Sequence, residues 1–347
     1  MQAELQPLRD AVQRNCHISD ARHAGDYTLC VYLRKMREYF RWEQGYGFND
    51  PLPENAVGEW LREREDLWES LEEESFAELP VGGQTFDPFD NAAINEALQP
   101  YGLVYSGGLG NRATPHFFLG ELGYEETKAE HRLLVSNDEY ARDLTAPPAM
   151  AREGTIFIRR QSVRRMVWER LEEWRWNRLE NAMGRAIACF DFERDGDAAL
   201  EAMTDTVFDV VLLHEKGEVL AGQRLGPEWE QMLASLSHPR AELLVRSVRD
   251  HLADALITLP GLVASGSDAA LHFFFANLTN LRRHLAPGLV EAGEQWRIQG
   301  ERDALDAIIA PGEEHWQHLA TRMLELYRQA PVDFAEQLMQ QVEAQPF

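Results

Sequence analysis

A chain of 347 residues with 44% apolar and 27% charged side chains is long enough for about two hydrophobic cores and has the composition of a globular protein. Its 58 acidic against 34 basic side chains give a formal net charge of −24, which argues against nucleic acid as a partner because the phosphate backbone would be repelled. Cys16, Cys30 and Cys189 form an odd set scattered along the chain, so a disulfide framework is not expected and a reducing, cytoplasmic setting is.

No apolar run is long enough to cross a bilayer, and the first residues lack the apolar centre of an export signal. All basic residues except Lys35, Lys128 and Lys216 are arginines, which suits bidentate pairing with the abundant carboxylates.

Helical periodicity opens the chain over 5–14 and again over 19–43, with Ser19 or Asp20 as the expected N-cap and Cys16-His17 in the turn between them. After a break at 45–53, a third helix is expected over 54–77, with Trp60, Leu61, Leu67, Trp68 and Leu71 on one face. From 79 to 160 glycines, prolines and alternating apolar residues replace that period. A short helix at 90–99 should precede strands at 102–106, 116–122 and 131–136 in an antiparallel meander, with 155–160 as a fourth strand or a lead into the next helix.

Helical spacing then returns in segments at 162–190, 204–221, 227–236, 240–259 and 268–285 and continues to 342. Gly226-Pro227, Pro260-Gly261 and Pro311-Gly312 are the expected breaks. The expected fold is therefore α+β and mainly α. An N-terminal helical hairpin and helix (1–78) lead to a small antiparallel β-meander insertion (79–160) and a C-terminal multi-helix bundle (161–347).

Chemistry concentrates in the bundle. His214 and Glu218 stand four residues apart on one helix, Asp250 and Asp254 share a face of another, and His272 begins a third amid phenylalanines. Imidazole and carboxylate projecting inward from facing helices is how bundles hold iron or manganese, although the usual Glu-x-x-His spacing is absent. Glu169, Glu173, Asn177 and Asn181 line up at steps of four as a conceivable fourth wall. HEKGE resembles the zinc motif HExxH with Glu218 in place of the second histidine, and Gly217 inside that helix requires a packing reason such as close helix approach.

Three other groupings compete. Cys16, His17 and Cys30 in the opening hairpin are soft or borderline ligands that also serve as core residues. The loop GGLGNR at 107–112, followed by His116, offers an anion or cofactor subsite with Arg112 supplying charge, although glycines here also suit a hairpin turn. Glu314, His315 and His318 cluster near the C-terminus, where a solvent-facing helix end explains them equally well.

The runs CHISDARHAGDYTLCVYLRKMREYFRWE, PHFFLGEL, EEWRWNRLENAM, LHEKGE and VRDHLADALITLP together resemble a family of uncharacterised bacterial, proteobacterial proteins of unknown function, across most of the chain. That resemblance implies a bacterial cytoplasmic protein and carries over no catalytic residue. The residues themselves point to a metal-dependent enzyme of non-haem iron or manganese oxidoreductase type. Its ligands would be His214, Glu218, Asp250 or Asp254, and His272, with Arg249 orienting an anionic group of a small-molecule substrate. The competing reading is a non-catalytic adaptor or assembly factor whose acidic surface binds a protein partner.

Overall fold

The computed structural model describes residues 2–110, 113–329 and 334–347, which pack as two compact units. The first comprises Met1–Thr127, Leu133–Met150 and Phe157–Trp168, and the second Lys128–Arg132, Ala151–Ile156 and Glu169–Phe347. No helix among the described residues is long and apolar enough to cross a membrane. The architecture is mainly α with a β insertion, as the periodicity predicts.

The first unit opens with α1 (Gln2–His23), α2 (Leu29–Glu43) and α3 (Glu54–Leu71). Leu8, Val12 and Cys16, at steps of four along α1, are buried against Leu79, Ile94 and Phe117. This continuous apolar stripe carries α1 straight through 15–18, where a turn was expected. The expected caps act elsewhere: the Ser19 hydroxyl donates to the Pro115 carbonyl, and both Asp20 carboxylate oxygens accept from the Leu144 N–H at 2.9 and 3.1 Å. Side chains that ordinarily close a helix end thus tie α1 to distant backbone.

A two-stranded hairpin, β1 (Leu79–Val81) and β2 (Gln84–Phe86), follows with both turn glycines at positive φ. Then come α4 (Asn91–Leu98), β3 (Leu103–Leu109), β4 (Pro115–Thr127), β5 (Arg132–Arg142), β6 (Ala149–Arg152) and β7 (Thr155–Arg159). β3 pairs antiparallel with β4, from Leu103 opposite Glu121 to Leu109 opposite Pro115. The sheet order is β3-β4-β5-β7-β6, so the meander holds through β5 and the unforeseen β6 takes the far edge. At the near edge, Asn91 and Asn95 each bond both the N–H and the C=O of one β3 residue, Gly107 and Tyr105 respectively. One helix face thereby closes an edge strand.

Helix α5 (Arg160–Asn177) ends where a longer helix over 162–190 was expected. Arg178 takes a positive φ of 45°, and Asn181 caps α6 (Ala182–Ala188) by accepting from Gly184 N–H. Glu173 and Asn177 are exposed and Glu173 pairs with Arg170, so the conceivable fourth wall is a solvated face.

The remaining elements are α7 (Gly196–Leu225), α8 (Pro227–Ser235), α9 (Pro239–Ala253), a single turn of π-helix (Asp254–Thr258), α10 (Leu259–Ser265), α11 (Asp268–Asn277), α12 (Asn280–Leu285), α13 (Pro287–Gln299), α14 (Asp303–Gln329) and α15 (Phe334–Glu343). Two expected breaks are not breaks. The π turn ahead of Pro260 absorbs the missing N–H and the ring, so α9 runs on into α10, and α14 continues through Pro311. Gly226, at φ +75°, does end α7.

Gly217 marks where α7 meets α9. A Cβ there would lie 2.9 Å from the Ala253 carbonyl carbon and closer still to its oxygen, whereas a Cβ on Gly222, one turn further along α7, would meet nothing within 4 Å. Gly217→Ala is therefore expected to cost about 1–3 kcal/mol through overpacking, while Gly222→Ala gains up to about 1 kcal/mol from helix propensity. Urea unfolding of the pair checks this, and equal shifts of the same sign would contradict the close approach.

In the first unit Glu139 is buried between the Arg159 guanidinium, at 3.0 and 2.8 Å, and the Ser162 hydroxyl at 2.5 Å. Burial alone would raise its carboxyl, but Arg159 and then Arg142 hold it below the ordinary glutamate value. A depressed carboxylate contributes stability that is complete above its unfolded value near ~4.3 and is lost as pH falls through the folded one. Glu139→Gln should thus cost about 3–5 kcal/mol at pH 7, with the gap to the wild type narrowing below about pH 4. A gap constant between pH 7 and pH 3, read by denaturant titration, would refute it.

Candidate metal centre

The close crossing of α7 and α9 sets two pairs of side chains face to face. His214 and Glu218 flank Gly217 on α7; Asp250 on α9 and Asp254, the first residue of the π turn, flank Ala253. His214, Glu218 and Asp250, all half-buried, offer ligand atoms that lie within 4.8 Å of one another. The His214 ring is oriented from behind, its Nδ1 lying 3.0 Å from Asp254 Oδ1. Its Nε2 then looks toward Glu218 Oε1 at 3.5 Å, too far for a good hydrogen bond.

Arginines frame the cluster. Arg282 of α12 pairs with Asp254 Oδ2, and Arg249 of α9 lies 3.3 Å from both Glu218 and Glu230. The position of Arg282 is supported by His251, whose ring stacks on Trp316 at 4.4 Å and whose Nε2–H donates to the Arg282 carbonyl at 3.1 Å. The Asp250 carboxylate feels Arg282, His214 and Arg249 through their charge, and Glu215 Oε2 is a buried oxygen without a hydrogen-bond partner. Glu218 and Arg249 also line a cleft of about 410 Å3, whose opposite wall is the turn 151–154 and which continues past Gly222 to Gly226-Pro227.

Burial and crowding polarise these groups. Burial, and then Glu218, pushes Glu215 up to about 8, while burial also raises Asp250. Glu218 falls to about 2 despite its burial because of Arg249 and His214, and Arg282 together with His214 holds Asp254 well below the carboxylate range. Burial would lower His214, but the Asp254 and Glu218 carboxylates beside it outweigh that and raise the imidazole well above its usual value.

The donor set of one imidazole nitrogen and two carboxylates suits a hard or borderline divalent ion such as manganese or ferrous iron. Bonds of about 2.1 Å put two donors on one ion at most ~4.2 Å apart, so the trio would close by roughly half an ångström to reach it. Asp254 on Nδ1 has the carboxylate–histidine relation that fixes a metal-binding tautomer.

Other sequence candidates lie elsewhere. His272, on α11, rests on the Trp296 ring at 4.7 Å and lines a different cavity; it is outside the trio because helical spacing says nothing about which way α11 turns. Arg112 falls outside the described residues. His116 is buried with Nδ1 3.3 Å from Asp143, and the N–H groups of Gly107 and Gly110 are taken by Asn91 and the Thr114 carbonyl.

In the opening helices, Cys16 is buried with Sγ on the Phe117 carbonyl and Cys30 is exposed. His17 receives Arg64 and the Trp68 indole, and burial with Arg64 lowers it to about 3. His315 meets Trp316 edge to face and Phe347 at a tilt, while Glu314 and His318 are exposed. Sequence reasoning missed Arg282, which has no motif around it; Glu215 stands inside HEKGE, one residue round from His214.

No curated protein and no solved structure matches the chain. Two family models do: residues 7–159 match the N-terminal domain, and residues 164–345 the C-terminal domain, of a family of unknown function designated DUF6866. With both domains matched in order over nearly its whole length, the chain belongs to that family.

Proposed function

We propose that the second unit binds a divalent metal ion, manganese or iron, on His214, Glu218 and Asp250, and that the protein is a metal-dependent enzyme of the bacterial cytoplasm. The observation that carries this reading is the geometry of His214: Asp254 fixes its Nδ1 side while Nε2 is left toward the carboxylates of Glu218 and Asp250, whose donor atoms lie within 4.8 Å of one another and of the imidazole. A bound ion would supply Lewis acidity or a redox step. The chain's own residues do the rest.

Glu218 links the trio to the cleft, so a small substrate there would sit beside the ion. Arg249 on the same wall would hold an anionic group of that substrate by charge-assisted hydrogen bonds, and the protonated Glu215 keeps a further negative charge out of a crowded site. Cysteines that are all unpaired support the reducing compartment.

Protein purified without a tag from manganese- and iron-supplemented cells is expected to carry close to one equivalent of metal per chain by elemental analysis. The His214→Ala, Glu218→Gln double variant should lose it. Asp254→Asn, which disturbs only the support of His214, should weaken binding roughly 10–100-fold, and chelation should lower the Tm of the wild type alone. Sub-stoichiometric metal that the double variant leaves unchanged would sink the proposal. The cluster would then be an internal ion-pair network, and the adaptor reading, with the acidic surface meeting a basic protein, would take its place.

A further inference from the structure

The second unit contains another cavity, of about 450 Å3, walled by α6, α11, α12 and α13. One side is aromatic. His272 lies 4.7 Å from Trp296, and Phe275 stacks on the same indole at 6.2 Å. Gly293 of α13 permits this arrangement, since a Cβ there would be driven into the Phe275 ring. The other side is cationic: Arg185, Arg283 and Arg297 line it together with the carboxylates of Glu180 and Glu294, a local reversal of sign in a chain of net charge −24.

Two of the guanidiniums are already engaged. Arg297 holds Glu294 at 2.7 Å, and Arg283 donates to the carbonyls of Phe275 and Leu278. Arg185 differs: among the described residues its guanidinium has no ion pair or hydrogen bond, and its Nε is buried without a partner. A half-buried guanidinium with unspent donors is unfavourable unless something meets it. Beside it, burial and then Arg185 hold His272 below its ordinary value, so the ring stays neutral near pH 7.

We propose that this cavity binds a small aromatic anion, its carboxylate or phosphate group taken by Arg185 and its ring received by His272 and Trp296. A guanidinium offers such groups two parallel hydrogen bonds. A concave site with an aromatic side and a charged group placed opposite it is a usual arrangement for a small-molecule ligand, and a ring at stacking distance adds to the affinity beyond the area it covers.

The test is calorimetric titration of the full chain with phenyl phosphate and with benzoate, set beside inorganic phosphate (charge without ring) and phenol (ring without charge). At least one aromatic anion is expected to bind with 1:1 stoichiometry and a Kd in the micromolar to low millimolar range, roughly tenfold or more tighter than either part-probe. Whichever of the two binds better identifies the anionic group. Arg185→Gln should weaken binding at least about tenfold. Ala182→Phe, which narrows the cavity without touching a charge, should also weaken it, and Trp296→Phe should abolish the ligand-induced change in tryptophan fluorescence while binding persists. Absence of heat with both anions up to about 10 mM, or undiminished binding in both Arg185→Gln and Ala182→Phe, overturns the proposal.

Discussion

The distance at which α7 passes α9 governs how the ionisable side chains of the second unit meet. Two helices whose contact residues carry β-carbons keep their axes about 8–10 Å apart; at Gly217 the missing β-carbon lets the Ala253 carbonyl enter that space. The residues on either side are the ones that matter. His214 with Glu218, and Asp250 with Asp254, are i,i+4 pairs straddling the contact point, so one small residue converts two ordinary polar faces into a four-sided cluster. The glycine that weakens α7 by propensity alone is what allows imidazole and carboxylates from different helices to reach one another.

That proximity has an electrostatic consequence. Four carboxyl groups, Glu215, Glu218, Asp250 and Asp254, stand close to two guanidiniums and one imidazole, and partial burial makes every unpaired charge costly. The cluster resolves this by division. Arg249 and Arg282 keep Glu218 and Asp254 ionised, whereas burial drives Glu215 and Asp250 toward their protonated forms. Arg282, His214 and Arg249 draw Asp250 only part of the way back from the effect of burial; a divalent cation would add positive charge beside it, and Asp250 belongs to the trio with suitable spacing. The π turn contributes as well: by adding a residue to the helix at Asp254–Thr258 it resets the phase between the α9 face and everything after Pro260.

Much of this was legible in the chain. The pairs at 214/218 and 250/254 are visible as spacing, and the requirement that Gly217 have a packing reason follows from its cost in a helix. Spacing assigns a residue to a face of its own helix, and nothing in it specifies the rotation of that helix against its neighbours. His272 illustrates the limit, being well placed on α11 and directed to Trp296. Pro260 illustrates another, since a proline signals a break only when the preceding turn is α, and a π turn removes the conflict. Ser19 and Asp20 have the chemistry of N-caps, yet their oxygens serve the backbone at Pro115 and Leu144, partners separated by about a hundred residues that local sequence cannot reveal.

Buried polarity does not by itself mark a site. In the first unit, Asn15 bonds the backbone of Ala77, Asn91 that of Gly107, Asn95 that of Tyr105 and Asp20 that of Leu144. A side chain spent on backbone groups has its geometry fixed and its lone pairs occupied, so it stiffens the fold and offers little to a ligand. At the crossing of α7 and α9 the partners are other ionisable side chains, and their pairing leaves Glu215 Oε2 without a hydrogen bond and Asp250 with donor atoms close to His214 and Glu218. Polar groups that satisfy the backbone build a scaffold; polar groups that satisfy one another incompletely keep capacity for something that arrives from outside.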